Sequence, residues 1–329
     1  MRDPIRSRHG ALRSLRIACC ALVLAAGTAC AAEPSPASSE KQVELDPVLV
    51  QAPEPKFVAP TRRDRIGRIW APVLIDGKGP FRLVLDTGAN RSAVTTSTAH
   101  NLDPSEAGRA SANVVGFTGS AVVPTIHVDS MEIGDLALGA TNLPVLEDVF
   151  GGADGVLSFE GLRQERIVAD FVNDRLEIAR SKGQHAPAGY AVVALRMIDG
   201  LPVAEVRIGG VQTKAIIDTG AQLSIGNLAL RDALTRSALD ATVREDIVGV
   251  TQDLQTGDRI ASPDMQFGTL RVHGMNIVYG DMYLFQHWHL TDEPALAIGM
   301  DMLGQFDVLI IDCARHEMHL RPRKKERQN

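Results

Sequence analysis

Leu85-Asp86-Thr87-Gly88-Ala89 and Ile217-Asp218-Thr219-Gly220-Ala221 are one device written twice: an aliphatic residue, then Asp-Thr-Gly-Ala. Each copy ends an apolar, strand-like run, Phe81-Arg82-Leu83-Val84-Leu85 before the first and Ala215-Ile216-Ile217 before the second. At average residue usage, one such tetrapeptide is expected in roughly one chain of this length per two hundred. Two copies behind matching strands therefore indicate duplication. Their physical content is a pair of carboxylates presented on equivalent turns.

The repeat extends well beyond the turn. Asp218 follows Asp86 by 132 residues. Upstream, Val73-Leu74-Ile75-Asp76-Gly77 matches Val206-Arg207-Ile208-Gly209-Gly210, in each case a strand and a Gly turn feeding the strand that ends at the Asp. Downstream, Val114-Val115-Gly116-Phe117-Thr118 matches Ile247-Val248-Gly249-Val250-Thr251, and Met131 through Leu136 matches Met265 through Leu270. Val156-Leu157-Ser158 then matches Ala297-Ile298-Gly299, and residues 170–178 match 312–320 without a gap. The offset drifts from 132 to 142, as short insertions in surface loops would produce. Two long repeats predict two similar lobes about a pseudo-two-fold axis rather than a solenoid of many short units.

Two carboxyls that share a site cannot both ionise cheaply, so one keeps a proton. The charged partner is then a general base for a bound water, and the protonated one can polarise a carbonyl. Within the turns, the Thr87 and Thr219 hydroxyls can bond the backbone of the opposite turn. Gly88 and Gly220 permit close approach between turns. Ala89 and Ala221 add little bulk and no hydroxyl beside the acids. No metal or other cofactor is required by this chemistry.

Composition sets the frame. The chain has 329 residues, enough for two modest domains, and 45% apolar content fits a globular protein. Aromatics supply only 4%, so strand cores must rely on Val, Ile and Leu. Residues 1–31 read as an export signal: five Arg, an apolar segment from Ile17 to Ala26, then Ala29-Cys30-Ala31 as a small-x-small cleavage site. Gly27-Thr28-Ala29-Cys30 also loosely matches a lipoprotein box, which makes Cys30 a candidate for lipidation. Residues 32–62, with six Pro, read as a disordered tether. The expected location is exported and periplasmic, with a lipid anchor as the alternative, and no apolar run is long enough for a transmembrane helix.

Loss of the signal removes five Arg and one Asp and takes the net charge from −6 to −10. That balance disfavours nucleic acid as a partner, despite the short basic tail at 323–329. With Cys19, Cys20 and Cys30 at the N-terminus, Cys313 is left as the single thiol of the folded part and reads as a small buried core residue. Lobe one is expected at 63–181, the connection at 182–190 and lobe two at 191–322. Short helices are expected near 96–101, 159–164, 228–234 and 300–305.

The turn, the strand before it and the later apolar-apolar-Gly segment together resemble the retropepsin-like branch of the aspartic peptidases, over nearly all of residues 66–320. The resemblance implies a mainly β fold of two retropepsin-like acid-protease lobes, of closed β-barrel type. It implies an Asp86/Asp218 catalytic dyad supported by Thr87, Gly88, Ala89, Thr219, Gly220 and Ala221. It places β-hairpin flaps at 113–122 and 246–257, with Gly116, Phe117, Thr118, Gly119, Gly249, Val250 and Thr251 over an extended peptide or protein substrate. Both half-sites lie in one chain, so a monomer is expected to suffice. The chain departs from the family pattern at Ser158, where a glycine is expected, and Gly155, just before this segment, is a candidate for altering that loop.

Other chemistries fit less well. His287 and His289 with Asp292 or Glu293 lack the His-Glu-x-x-His spacing of a zinc peptidase, and no Gly-x-Ser-x-Gly is present for a serine nucleophile. The pair of His beside Trp288 reads as a loop near the cleft. A catalytically silent peptide-binding protein on the same fold stays open.

Overall fold

The computed structural model describes residues 68–103, 110–134, 136–148, 150–234 and 243–323. The signal segment, the tether, Cys30 and residues 324–329 of the basic tail lie outside the described residues. No helix of the described residues is long and apolar enough to cross a membrane.

Lobe one runs through β1 (Trp70–Ile75), β2 (Lys78–Asp86), β3 (Ala93–Thr95), α1 (Thr96–Leu102), β4 (Ala110–Val115), β5 (Ser120–Val128), β6 (Met131–Ile133), β7 (Leu136–Ala137), β8 (Thr141–Leu146) and β9 (Gly155–Ser158). A single 3-10 turn (Glu160–Leu162) and the hairpin β10 (Glu165–Asp170) and β11 (Arg175–Arg180) follow. Lobe two contains β12 (Ala191–Ile198), β13 (Leu201–Ile208), β14 (Val211–Ile217), β15 (Ile225–Gly226), α2 (Leu228–Leu234), β16 (Val243–Val248), β17 (Leu254–Ala261), β18 (Met265–Phe267) and β19 (Leu270–Val272). It continues with β20 (Asn276–Tyr279), α3 (Tyr283–His287), β21 (Ala295–Ile298), α4 (Met300–Leu303), β22 (Phe306–Asp312) and β23 (Glu317–Pro322).

The duplication holds strand for strand. Lobe one is a nine-stranded sheet in the order β4-β5-β8-β3-β9-β2-β1-β6-β7. Lobe two repeats that order as β16-β17-β20-β15-β21-β14-β13-β18-β19. The hydrogen-bonded path of each is open at both ends among the described residues, where closed barrels were expected. The remaining strands, in the order β11-β10-β22-β23-β12, are shared by the lobes and run on into the lobe-two sheet where β12 pairs with β13. Among them β10 and β22 pair antiparallel, with Val168 opposite Ile310. Those two are themselves equivalent residues, 142 apart as Asp170 and Asp312 are. The pseudo-two-fold axis therefore passes between them.

The strands carrying the Asp residues are buried on both faces. Leu83, Val84 and Leu85 are all at 2% exposure or less, and so are Ala215, Ile216 and Ile217. Each is held between an antiparallel neighbour and a parallel one: β2 between β1 and β9, β14 between β13 and β21. Central strands covered on both sides read as continuous apolar runs, which is why no alternation marks them. By contrast β12 alternates strictly at its start, with Ala191, Val193 and Leu195 inward. One contiguous core runs through both lobes, from Val73 and Leu85 to Ile217, Ile298 and Leu320.

Buried polar groups tie the shared sheet. Asp312 is fully buried and accepts from Arg166 Nη1 (2.7 Å), Ser181 Oγ (2.6 Å) and the Arg315 N–H (3.2 Å). That network anchors the start of the inter-lobe connection to β22. Cys313 follows immediately, 6% exposed, its thiol pushed up to about 12 by burial and by the Asp312 and Glu165 carboxylates. A thiol so protonated is inert packing, in agreement with the sequence reading.

Seven of the ten residues of offset enter at one place. Equivalents stand 134 apart at Val145 and Tyr279 but 141 apart at Gly155 and Leu296. The connection between them spans residues 147–154 in lobe one and 280–294 in lobe two, where it carries α3. The expected scatter of short surface insertions is thus largely a single insertion.

Candidate active site

The two Asp turns meet on the pseudo-two-fold axis. Asp86 ends β2, and Asp218 follows β14 directly, its N–H donating to Ile298 O at 3.0 Å. Thr87 and Thr219, both fully buried, exchange bonds across the axis. Each backbone N–H donates to the other's hydroxyl at 3.1 Å. Each hydroxyl in turn donates to the carbonyl two residues before the opposite Thr: Thr87 to Ile217 (2.6 Å), Thr219 to Leu85 (2.7 Å). Four bonds thereby lock the turns in mutual register. Gly88 and Gly220 are required by close approach, because a Cβ on either would run into the carboxyl of Asp218 or Asp86 respectively.

Each carboxyl packs against the glycine of the opposite turn, and the two are close enough to influence each other's charge. Asp218 is 5% exposed and Asp86 is partly buried. Burial raises the pKa of Asp86 well above the ordinary carboxylate range, and the neighbouring Asp218 charge raises it further. Burial also raises Asp218, but two backbone N–H groups oppose it: Gly220 at 3.0 Å and Ala221 at 2.9 Å, both to Oδ1. Asp86 accepts only one, from Gly88 at 2.8 Å. The better-solvated anion is therefore Asp218, and the shared proton rests on Asp86. Arg68, at the start of the described chain, lies near enough to favour the charged form of both. Nothing in the repeat pattern marked Arg68, since it has no basic counterpart in lobe two.

The departure at Ser158 leaves the support intact. In lobe two Ser224 Oγ donates to Asp301 (2.6 Å) and accepts from Gly299 N (3.1 Å). In lobe one Ser92 Oγ makes the same backbone bond, from Ser158 N at 3.0 Å, and the Ser158 hydroxyl replaces Asp301 as its side-chain partner at 3.2 Å. Gly155 sits inside β9, where a Cβ would run into the Ala93 carbonyl and Val94, so it preserves the strand rather than altering the loop.

Two hairpins stand where flaps were expected, β4–β5 and β16–β17, and their tips interlock. Thr118 Oγ1 accepts from Gly249 N at 3.1 Å and lies 3.5 Å from Thr251 Oγ1. Gly116 and Gly119 have a steric reason to be glycine. A Cβ on Gly116 would meet Val250 Cγ2 at 2.8 Å, and one on Gly119 would strike Asp253. Each tip reaches into the other lobe. Val250 joins the lobe-one cluster of Val84, Val156 and Ala89, while Phe117 joins Ile225, Phe285 and Ala295 of lobe two. Phe117 meets Phe285 edge-on at 6.5 Å, and its carbonyl accepts from Leu284 N at 3.3 Å. His287 and His289, read as loop residues, lie at the end of α3 and just beyond it, both exposed. A five-residue helix is too short for a periodic signal, so α3 was not foreseen.

A sequence model of the aspartyl protease family matches residues 71–161 and 204–302, more than half of the chain. The chain belongs to the aspartyl protease family. The two matched stretches are the two repeats, and each contains one Asp-Thr-Gly-Ala turn, one of the two interlocked hairpins and the parallel strand beneath the turn. Membership in the aspartyl protease family accords with peptidase chemistry in general and with a peptide as substrate. No curated protein sequence matches the chain.

Proposed function

We propose that the protein is an aspartic endopeptidase in which Asp86 and Asp218 act as one proton-sharing pair on a bound water. The observation that carries this reading is the pair of carboxyls brought together from equivalent turns, each packed against the glycine of the opposite turn and both with raised pKa. Ionised Asp218 takes a proton from the water as its oxygen attacks the scissile carbonyl carbon. Protonated Asp86 donates to the carbonyl oxygen. The tetrahedral diol then breaks its C–N bond as a proton passes to the leaving nitrogen, giving one carboxylate and one amine product. The substrate lies as an extended strand beneath Gly116–Gly119 and Gly249–Thr251, bonded by its backbone to the flaps, with alternate side chains in opposing pockets. No cofactor takes part in this scheme.

Two half-sites in one chain make a monomer sufficient. Export through residues 1–31 would deliver the enzyme to the periplasm, free or lipidated at Cys30. The deciding experiment incubates the protein with a peptide library and repeats the assay with a peptide carrying a hydroxyethylene isostere at the preferred bond. Cleavage that the isostere blocks supports the proposal. Binding of library peptides without any cleavage would instead assign the protein as a silent peptide binder.

A further inference from the structure

A single cation breaks the two-fold symmetry of the site. Trp70 pairs with Val84 across β1 and β2, and the Ile69 carbonyl accepts from Leu85 N at 2.8 Å, which carries the same register one residue beyond β1. The next pair in that register is Arg68 and Asp86. Opposite residues of an antiparallel pair project to one face, with Cβ atoms about 5 Å apart. Trp70 and Val84, on that same face, pack with Phe150. The Phe150 carbonyl fixes the guanidinium by accepting from Arg68 Nη1 at 3.2 Å. From this half-buried position the charge reaches both Asp86 and Asp218.

Lobe two offers no such cation. Val203 pairs with Ile216, so the same step along the register puts Leu201 opposite Asp218. Leu201 is 5% exposed and packs with Val203 and Ile216. The other charges on elements around the turns are engaged elsewhere or solvated. Asp301 of α4 accepts from Ser224. Arg82 lies 3.8 Å from Asp154, and in lobe two Lys214 pairs with Glu293, in each case four residues back from the Asp. Glu160, beyond Ser158, faces Arg163 at 3.9 Å. Arg91, past the first turn, and Asp253, against Gly119 at the flap tip, are exposed.

In its working form the pair carries one negative charge, in a place where burial disfavours charge. A neutral pair has no base for the water, so the site needs something to keep the charge. We propose that Arg68 is the countercharge of the dyad, a positioning residue that acts through Asp86 and Asp218 and holds the pair in its singly ionised form. Which member keeps the proton is decided by the additional N–H on Asp218; Arg68 sets the charge of the pair as a whole. The inference rests on the reading of the pair as catalytic, but its direct test does not need turnover. Arg68→Met removes the charge and keeps an apolar stem, whereas Arg68→Lys keeps the charge. Carbon-13 carboxyl resonances of the Asp residues are followed across pH by NMR in the wild type and both variants. The signals of the pair are identified by their loss in Asp86→Asn and Asp218→Asn. The kcat/KM for a library-selected peptide is measured over the same range. Loss of a cation disfavours each ionised form, so both midpoints of the pair and both limbs of the bell should move to higher pH in Arg68→Met. The rate then falls on the acid side and rises on the alkaline side, and Arg68→Lys returns both toward wild type. Should Arg68→Met not fold, Arg68→Gln, neutral but still able to donate to Phe150, serves for the same comparison. Midpoints and limbs that stay in place in a neutral variant that still cleaves overturn the countercharge and leave the peptidase reading standing. A rate lowered equally at every pH also overturns it, and reduces Arg68 to a prop for the Phe150 carbonyl. Midpoints that move in a protein that cleaves nothing keep the countercharge and remove the peptidase reading.

Discussion

Replacing Thr87 by Val tests whether the cross-axis bonds hold the carboxyls in place. Val keeps the shape but removes the hydroxyl, so the Thr219 N–H loses its acceptor and the Ile217 carbonyl loses its donor. Both partners are fully buried, so water cannot replace the loss. Each orphaned buried group costs about 1–3 kcal/mol, or about 2–6 kcal/mol for the pair. With a denaturation slope of about 3 kcal/mol/M, the urea midpoint falls by roughly 0.7–2 M. The matching Thr219→Val loses the Thr87 N–H and Leu85 carbonyl bonds, at nearly the same distances, so its midpoint should fall equally. In conditions where both variants are folded, kcat should drop by about 10², the effect of roughly 1 Å of misplacement. Thr87→Ser keeps the hydroxyl and should retain most of the activity. Urea titration and peptide cleavage on the three variants decide the matter. A Thr87→Val protein within about 1 kcal/mol of wild type, or a Ser variant as impaired as the Val variant, refutes the argument.

Other expectations follow from the electrostatics and the flaps. Cleavage should give a bell-shaped pH–rate profile with its optimum between mildly acidic and neutral pH, because burial raises both members of the pair and no hydroxyl at Ala89 or Ala221 offsets it. A maximum near pH 2–3, as expected for carboxylates strongly stabilised in their charged form, would contradict this. Raised folded-state pKa values mean that the native state binds more protons than the unfolded one above pH 3.8, so the pair lowers stability as pH rises through the folded values. Asp86→Asn should therefore melt higher than wild type at pH 7, with the difference vanishing below pH 3.8, as calorimetry across pH can check. Glu317 has the opposite sign: Arg315 and then His319 hold it at about 2, so its contribution is present above 4.5 and lost as pH falls toward 2. Glu317→Gln should consequently flatten the acid side of the stability curve. Phe117→Ala removes the edge-on contact with Phe285, worth about 0.5–1.5 kcal/mol beyond its buried area, and should speed amide exchange at 116–120 with little change in core protection.

Much of the fold could be read because it is written twice. The strand–turn pairs, the flap hairpins and the expected helices at 96–101, 228–234 and 300–305 all have counterparts at matching positions, and two copies of a weak pattern make a strong one. The structure departs from expectation where the copies differ. Residues 280–294 have no template in lobe one, and within them α3 is one turn and a half. Trp288 and Leu290 pack against Leu201, Val203 and Ile216, which come from β13 and β14 some 70 to 90 residues earlier in the chain. The roles of Gly116 and Gly119 were also hidden. A glycine that makes room for an opposing side chain looks, in sequence, the same as one that bends. The unequal sharing of the proton depends on one extra N–H bond, from Ala221, which two identical tetrapeptides cannot reveal.

The central claim is that Asp86 and Asp218 form one catalytic unit, and its most direct test is the additivity of their loss. The kcat/KM for a library-selected peptide is measured for Asp86→Asn, Asp218→Asn and the double variant, with folding verified by circular dichroism. Each single change should lower kcat/KM by about 10³-fold or more, and the double should fall no further than the worse single, as groups acting together do. A single variant that keeps a tenth of wild-type activity, or a double variant whose loss is the product of the two singles, would show that the carboxyls do not work as a pair.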